Sequence, residues 1–321
     1  MQKSLTIALG LSCLAAATLM PEKSHAQSDF KVTLLGTASP SPRPTRFGPS
    51  TLIEAGDQKF IIDAGRGVPI RLWQLKVPMG KIDVLFITHY HSDHVSGIPD
   101  LWLTGWLSPP FARRKTPFHV IGPTGAKSLM ENLEKAYALD IKIRLADEKL
   151  PPEGVAVKVD EFDKDGVVYE KNGVKVIAFT NHHGDLIRPS VGYRIEYKGH
   201  AAVISGDTTY NENVIKYGTG ADLLVHEVAM ARPKLMEIPA VQRIIHHHTP
   251  PHEVGMVFTK AKPKLAAYTH IVFLSNAQVP EPTLDDLVAE TRKTYSGPLE
   301  VGEDLTSFEI GDTVTVHRFK K

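Results

Sequence analysis

Short runs of apolar residues, most of them ending at a polar or glycine-containing turn, recur along the chain. Runs of this kind that are rich in β-branched side chains are typical of strands buried in a sheet. The pattern predicts strands at residues 30–35, 50–55, 59–63, 84–87, 119–121, 155–159, 174–179, 192–197, 201–204, 223–227, 306–310 and 313–318. Apolar residues at helical spacing predict helices at 125–139, 251–260 and 283–294. The alternation favours an α/β fold with two packed sheets flanked by helices.

The N-terminal segment differs from the rest of the chain. Met1-Gln2-Lys3 is a positively charged start, the run from Leu5 to Met20 is apolar, and Ser24-His25-Ala26 has the small-x-Ala pattern of a cleavage site. These features predict a secretory signal peptide at residues 1–26, a single hydrolase domain at 27–321, and no membrane anchor after cleavage. Because the only cysteine, Cys13, precedes the predicted cut, the mature chain suits an oxidising periplasmic or extracellular compartment.

The charge balance is nearly neutral. The 321 residues include 37 Lys and Arg against 36 Asp and Glu, a formal net charge of +1. No run of like charges stands out, so the composition gives no support for a polyanionic partner. We therefore expect a small-molecule substrate and no nucleic acid.

Candidate chemistry begins directly after the apolar run Val84-Leu85-Phe86-Ile87. His89-Tyr90-His91-Ser92-Asp93-His94 places three imidazoles and a carboxylate within six residues. Imidazole nitrogen and carboxylate oxygen suit Zn²⁺, with Mn²⁺ or Fe²⁺ as less favoured ions. The segment therefore predicts a loop that supplies ligands for metal ions.

Further candidate ligands follow other predicted strands. His182-His183 follows the run that ends at Phe179, Asp207 follows the run that ends at Ile204, and His270 follows Leu265-Ala266-Ala267-Tyr268. A single His or Asp after a strand is often a cap or a satisfied core residue. Their recurrence indicates that the carboxyl ends of four strands face one cleft.

These motifs, in this order, resemble those of the metallo-β-lactamase superfamily, and within it ribonuclease Z and the zinc-dependent arylsulfatases. The resemblance rests on H-x-H-x-D-H at residues 89–94, Gly192-Tyr193-Arg194, Ser205-Gly206-Asp207-Thr208, Tyr268-Thr269-His270, Leu34-Leu35-Gly36-Thr37-Ala38, Ile61-Ile62-Asp63-Ala64-Gly65, Val225-His226-Glu227-Val228 and His248-Thr249-Pro250-Pro251. It implies an αββα sandwich with a metal site at the carboxyl ends of the strands.

The resemblance also implies a site with two zinc ions. One ion would be held by His89, His91 and His183, the other by Asp93, His94 and His270, with Asp207 between them. His182 competes with His183 for the third position at the first ion. The family pattern gives no metal role to His246 or His247.

Catalytic roles are implied for three residues. Asp93 would orient a water activated between the two ions, and His248, held by Glu227, would protonate the leaving oxygen as a general acid. Glu227 has an alternative interpretation as a buried carboxylate that caps a nearby loop.

The stretch Asp100 to Leu107 resembles the arylsulfatase members, and the longer segment Asp100 to Arg114 follows the metal loop and contains Trp102 and Trp106. The two tryptophans are interpreted either as a wall for an aryl substrate, with Arg113 or Arg114 binding an anion, or as core residues of a helix.

The function expected first is a secreted hydrolase of sulfate or phosphate esters, of the arylsulfatase or phosphodiesterase type. Alternatives are a ribonuclease Z-like nuclease and a lactone or β-lactam hydrolase. The predicted signal peptide and the lack of a Gly/Pro-rich basic arm between Phe118 and Thr180 argue against the nuclease. Relatives are often dimers, so a homodimer is a further expectation.

Overall fold

A computed structural model describes residues 29–319 of the chain. The predicted export segment at residues 1–26 lies outside the described residues, so that prediction and the compartment it implies stay untested. No helix within residues 29–319 combines the length and apolar character needed to cross a membrane.

The first sheet has eight strands, numbered like all elements in chain order: β1 (Phe30–Gly36), β2 (Ser50–Ala55), β3 (Gln58–Ile62), β4 (Val84–Phe86), β5 (Phe118–Pro123), β6 (Val157–Phe162), β14 (Ser307–Ile310) and β15 (Val314–His317). Their spatial order is β15-β14-β1-β2-β3-β4-β5-β6. Strands β3 to β6 run parallel, and the remaining neighbours are antiparallel.

The second sheet has seven strands: β7 (Gly166–Lys171), β8 (Val174–Thr180), β9 (Val191–Tyr197), β10 (His200–Ile204), β11 (Leu223–Ala231), β12 (Leu265–Leu274) and β13 (Leu299–Val301). Their order is β13-β12-β11-β10-β9-β8-β7. Strands β10 to β13 are parallel, and β8 has the same direction because β9 is antiparallel to both β8 and β10. The carboxyl ends of β8, β10, β11 and β12 therefore lie at one edge of the sheet.

The helices of the described chain are α1 (Val68–Gln74), α2 (Ser92–Val95), α3 (Ile98–Trp106), α4 (Ala126–Ala136), α5 (Ala138–Asp147), α6 (Pro152–Val155), α7 (Glu212–Gly218), α8 (Pro239–Ile245), α9 (Pro251–Ala261) and α10 (Leu284–Arg292). Apolar side chains from both sheets form a central core. A second cluster joins the first sheet to α1, α3 and α4, and a third joins the second sheet to α7, α9 and α10. The four layers confirm the predicted αββα sandwich.

Local differences from the predicted elements have local causes. The helix predicted at 125–139 ends at Ala136, since Tyr137 leaves helical geometry at φ −101 and ψ 9 before α5 begins. The helix predicted at 251–260 begins as expected, with Pro250 before α9 in extended geometry and the Thr249 hydroxyl donating to the carbonyl of Thr208 at 2.7 Å.

Trp102 and Trp106 are core residues of a helix and do not form a substrate wall, which agrees with the second interpretation. Both lie on α3, both are fully buried, and both pack in the cluster against the first sheet. The indole of Trp102 donates to the carbonyl of Val155 at 2.9 Å, and that of Trp106 donates to Pro151. Arg114 is also buried and donates to backbone carbonyls, so it is not available to bind an anion, while the half-buried Arg113 donates to the carbonyl of Lys149 at 3.3 Å.

We expect Trp102→Ala to lower the free energy of unfolding by about 3–5 kcal/mol, because it leaves a cavity and an unpaired carbonyl in the core. Denaturant titration measures the change. Trp73→Ala is the matched control, since that indole is 55% exposed, and it should cost less than about 1 kcal/mol. Equal losses in the two variants would contradict the assignment.

Candidate metal centre

The loop after β4 carries four of the predicted ligands. His89 and His91 precede the single turn of α2, and Asp93 and His94 lie within it. The carbonyl of His94 accepts a hydrogen bond from the amide of Ala64 at 2.8 Å, which fixes α2 against the segment after β3. Except for the more exposed His91, these side chains are buried.

His183 and Asp207 reach the same cleft from the ends of β8 and β10. The turn before Asp207 needs Gly206, whose φ of 62 lies in the left-handed region that glycine adopts most easily. The side chain of Asn181 donates to the carbonyl of Ser205 at 2.7 Å and so ties the two strand ends together. Backbone geometry thus places both ligands before any metal is considered.

His270 is aimed into the cleft by a β-bulge. His226 pairs with Tyr268 and Val228 pairs with Ile271, so two residues of β12 lie opposite one residue of β11. His270 has a φ of 43, a conformation that non-glycine residues adopt rarely and mostly where surrounding structure enforces it.

The imidazoles of the first group meet at His91. Its Nδ1 lies 3.1 Å from Nε2 of His89 and 3.2 Å from Nε2 of His183. The carboxylate of Asp207 completes the group, with Oδ2 3.6 Å from Nε2 of His183 and 3.9 Å from that of His89. The ligand atoms of all four residues lie within 4.8 Å of one another.

The second group shares Asp207 with the first. Its Oδ2 lies 3.2 Å from Nε2 of His270 and 3.3 Å from Nε2 of His94. Asp93 Oδ2 lies 3.3 Å from the same His270 nitrogen. Asp207 therefore lies between the two groups, as the bridging role requires.

The Nδ1 atoms of His89 and His183, which point away from the cleft, already make hydrogen bonds. Nδ1 of His89 donates to the hydroxyl of Thr88 at 3.0 Å, and Nδ1 of His183 donates to the carbonyl of His247 at 2.7 Å. The inner Nε2 atoms of both rings consequently carry lone pairs that face the lone pairs of other ligands. Nε2 of His94 is buried without a hydrogen-bond partner. Divalent cations fit this donor set, because they alone would satisfy so many converging lone pairs.

The electrostatics agree with this fit. Burial lowers the pKa of His183 to about 3 and holds that of His89 well below its usual value, so both rings stay neutral as metal ligation requires. Burial alone would lower the pKa of His94 too, but the carboxylates of Asp207 and Asp63 raise it well above its usual value. The region around His94 therefore favours positive charge.

Asp63 is a functional residue whose role the sequence reasoning missed. Its Oδ2 accepts from Nδ1 of His94 at 2.7 Å, and its two oxygens accept from the amide and hydroxyl of Thr88 at 2.8 and 2.7 Å. Thr88 in turn accepts from His89, so one carboxylate orients ligands of both groups. The sequence signal that could have identified Asp63 is its position directly after the buried strand β3.

Glu227 and His248 form the predicted pair. Nδ1 of His248 donates to Oε2 of Glu227 at 2.9 Å, and the amide of Thr249 donates to Oε1 at 2.8 Å. Burial works against charge on His248, but Glu227 outweighs it and raises the pKa of this imidazole. The ring lies 4.8 Å from the ring of His183 and 5.5 Å from that of His270, measured between centroids. Glu227 thus contacts the imidazole and also binds the loop backbone, and its catalytic role stays a prediction.

His182 does not join the ligand groups. Its ring contacts Thr209 at 3.2 Å and Asp185 at 3.3 Å, away from the cleft. The remaining predicted ligands all converge, but their metal-binding roles stay predictions.

Two cavities open beside these groups. One of about 280 Å³ lies directly over them and extends to Ile244 and to the end of β12. The other, of about 570 Å³, is lined by the loop after β8, which includes His183, and by residues at the ends of β5 and β6. His183 therefore lines both cavities.

Comparison with known proteins decides the family. The model of the beta-lactamase superfamily domain matches residues 58–271. Ribonuclease Z of Mycolicibacterium gilvum is 36% identical over 88% of this chain and 96% of its own length, and that of Mycobacterium marinum is 33% identical over 88% and 99%. The chain belongs to the metallo-β-lactamase superfamily, in its ribonuclease Z branch.

Solved structures agree on the fold of this ribonuclease Z-branch protein. Human tRNase Z, short form, has a TM-score of 0.62 at 22% identity and covers 86% of this chain and 98% of its own. The metallo-beta-lactamase fold protein YhfI of Bacillus subtilis has a TM-score of 0.67 at 19% identity, covering 87% and 98%. These structures, taken with the sequence relatives, support a metal-dependent hydrolase.

The comparisons overturn two expectations. The relatives are named Ribonuclease Z, so a hydrolase of small sulfate or phosphate esters of the arylsulfatase type is wrong. The exclusion of nucleic acid is also wrong, since these relatives are named as ribonucleases. The lack of an arm between Phe118 and Thr180 did not exclude this branch, because helices α4 and α5 and strands β6 and β7 occupy that interval while relatives still match over nearly their full length.

We expect Asp63→Ala to weaken metal binding roughly 10- to 100-fold, since the orientation of His94 and Thr88 is lost while every ligand remains. Competition with a chromogenic chelator measures the affinity. Asp160→Ala is the matched control, because Asp160 accepts from His119 at the same 2.7 Å on an exposed strand away from the cleft. Unchanged affinity in Asp63→Ala would contradict this role.

Proposed function

We propose that this chain is a metal-dependent ribonuclease that hydrolyses phosphodiester bonds in RNA. The observation that most supports this proposal is the Glu227–His248 pair, whose imidazole lies next to both ligand groups. Such a proton donor is needed because the ribose oxygen that leaves in RNA hydrolysis is a poor leaving group without a proton. The choice of RNA is supported by the relatives named Ribonuclease Z, and transfer RNA is the first substrate to test because the human neighbour is titled a tRNase.

The proposal includes two divalent ions, with zinc favoured by the nitrogen-rich ligands. His89, His91 and His183 would hold one, Asp93, His94 and His270 the other, with Asp207 shared. Bound there, the ions would polarise a phosphoryl oxygen and make water more acidic.

The residues of the chain orient the water and supply the proton that the leaving oxygen gains. The oxygen of water bonds to phosphorus and loses one proton to solvent, the bond from phosphorus to the leaving ribose oxygen breaks, and the products are a phosphate monoester and an alcohol. We assign to Asp93 the orientation of the attacking water and to His248 the proton that the leaving oxygen gains. Solvent then returns a proton to His248. Glu227 keeps the His248 ring turned toward the cleft and stabilises its charged form.

The test is cleavage of RNA by the purified full-length chain loaded with zinc. We expect it to cut a transcribed transfer RNA that carries extensions at both ends, and Asp207→Asn to abolish cutting, since that carboxylate serves both ligand groups. Gel analysis of end-labelled RNA measures the products. A metal-loaded protein that cuts neither this RNA nor an unstructured RNA would contradict the proposal.

His248→Ala separates proton donation from metal binding. We expect it to retain both metals and to cut RNA about 10²–10⁴-fold more slowly. Its rate on bis(4-nitrophenyl) phosphate should fall far less, because nitrophenolate leaves without a proton. His182→Ala, at an exposed neighbour outside the ligand groups, should leave both rates unchanged. Equal losses on the two substrates with full metal content would rule out the proton-donor role.

A further inference from the structure

Glu227, the partner of His248, lies at a point where β11 is paired with neither neighbouring strand. The pairing of β10 with β11 ends two residues before Glu227. On the other side of β11, the bulge in β12 leaves Glu227 without a paired residue. A buried backbone amide and carbonyl must still find hydrogen-bond partners. Strand pairing therefore does not hold the backbone of Glu227, and other groups must do so.

Two side chains supply these partners. The amide of Glu227 donates to the hydroxyl of Ser205 at 3.2 Å, and Nδ1 of His226 lies 2.6 Å from the carbonyl of Glu227. Because a carbonyl can only accept, the His226 ring carries a proton on Nδ1. Burial lowers the pKa of His226, so the ring is neutral and its Nε2 carries only a lone pair. His226 is thus the donor that fixes the carbonyl of the residue holding His248.

The surroundings of His226 are otherwise unfavourable for an imidazole. The ring is fully buried and packs edge-on against Phe258 of α9, with 6.0 Å between the centroids. Its Nε2 has no hydrogen-bond partner among the described residues. A buried polar atom without a partner destabilises a fold, whereas an aliphatic side chain would fill the same space without that cost. The hydrogen bond to Glu227 is the contact that an aliphatic side chain could not make.

The carboxylate of Glu227 connects this backbone to the proton donor. It accepts from Nδ1 of His248 and from the amide of Thr249, and the amide of Ala229 donates to the carbonyl of Thr249 at 3.1 Å. The segment that carries His248 is therefore attached to β11 at Glu227 and at Ala229. A rotation of the Glu227 peptide would move the carboxylate and, with it, the imidazole. Misplacement of a reacting group by about 1 Å can lower a rate by roughly 100-fold.

We propose that His226 is a positioning residue for proton donation: its hydrogen bond fixes the Glu227 peptide at the bulge, so that the carboxylate holds the His248 imidazole toward the leaving oxygen. In this role His226 acts through Glu227. The inference rests on the proposed RNA hydrolysis and adds a residue to its machinery.

Two substitutions of similar shape separate the hydrogen bond from packing. His226→Asn keeps a nitrogen donor near the place of Nδ1, whereas His226→Leu has the same branching and no donor. We expect His226→Leu to retain its metals and to lower kcat on RNA roughly 10- to 100-fold, with little change in KM. His226→Asn should restore most of that loss. Both variants should change the rate on bis(4-nitrophenyl) phosphate far less, because nitrophenolate leaves without a proton.

Stability should follow the opposite order. His226→Asn buries an amide oxygen in an apolar layer, so in denaturant titration it should be less stable than His226→Leu. A role in packing alone would make activity follow stability. A variant that is less stable and more active therefore distinguishes positioning from packing.

Leu224→Ala is the matched control. Leu224 lies two residues before His226 on the same face of β11 and packs in the cluster that contains Phe258. The substitution opens a cavity in the same layer and removes no hydrogen bond. It should leave the ratio of the two rates, on RNA and on bis(4-nitrophenyl) phosphate, unchanged.

The His248→Ala background tests whether His226 acts through the donor. There His226→Leu should cause no further loss on RNA. A further loss, or equal losses of kcat in His226→Asn and His226→Leu, would overturn the positioning role while leaving RNA hydrolysis intact. If His226→Leu does not fold, His226→Phe takes its place, since it fills the ring's space without a donor. Failure of the unaltered chain to cut any RNA would instead overturn the proposed function, and with it this role.

Discussion

The convergence of lone pairs at Asp207 is the constraint on which the rest of this structure depends. Five imidazoles and two carboxylates from three loops and strand β12 direct ligand atoms into one cleft, in groups whose members lie within 4.8 Å of one another. Such atoms repel or remain unsatisfied unless cations lie between them. The ring nitrogens that point away from the cleft must also be held by hydrogen bonds, so that no imidazole turns away from it. Thr88, Asp63 and the carbonyl of His247 provide that hold. The ligand geometry is therefore built from hydrogen bonds outside the ligands themselves.

Left-handed backbone occurs at three positions of the cleft, as it does at other turns of the described chain. Asp63 with a φ of 57, Gly206 with 62 and His270 with 43 each follow or interrupt a buried strand there. Left-handed backbone at non-glycine positions is costly and persists where surrounding packing enforces it. The surrounding packing is the central core between the sheets and the two clusters beneath the helices. The large apolar layers thus stabilise a site whose own geometry is unfavourable.

Much of the fold and the ligand set could be predicted because their signals are local. Buried strands are apolar runs, and a ligand at a strand end is adjacent in sequence to its strand, as at Phe179 to His183. The role of Asp63 could not be predicted this way, since it arises from a contact with His94 across 31 positions. The sequence also left the burial of Trp102 undecided, because an aromatic residue on a helix gives the same sequence pattern in a core and at a substrate wall. Short or half-exposed strands such as β7 and β13 gave no periodic signal.

The substrate was misjudged for a different reason. A net charge of +1 describes the whole chain, whereas recognition of a phosphodiester needs only charge and shape within one cleft. The ligands lie at or near the ends of core strands, but His248 follows α8, whose residue Ile245 packs in a small apolar cluster with Ala229 and Val272 that is separate from the main cores. The proposed proton donor is thus held by a different part of the chain from the ligands. The ligand motifs are a local sequence signal for the candidate metal centre, whereas the position of His248 beside it depends on how α8 packs on β11 and β12.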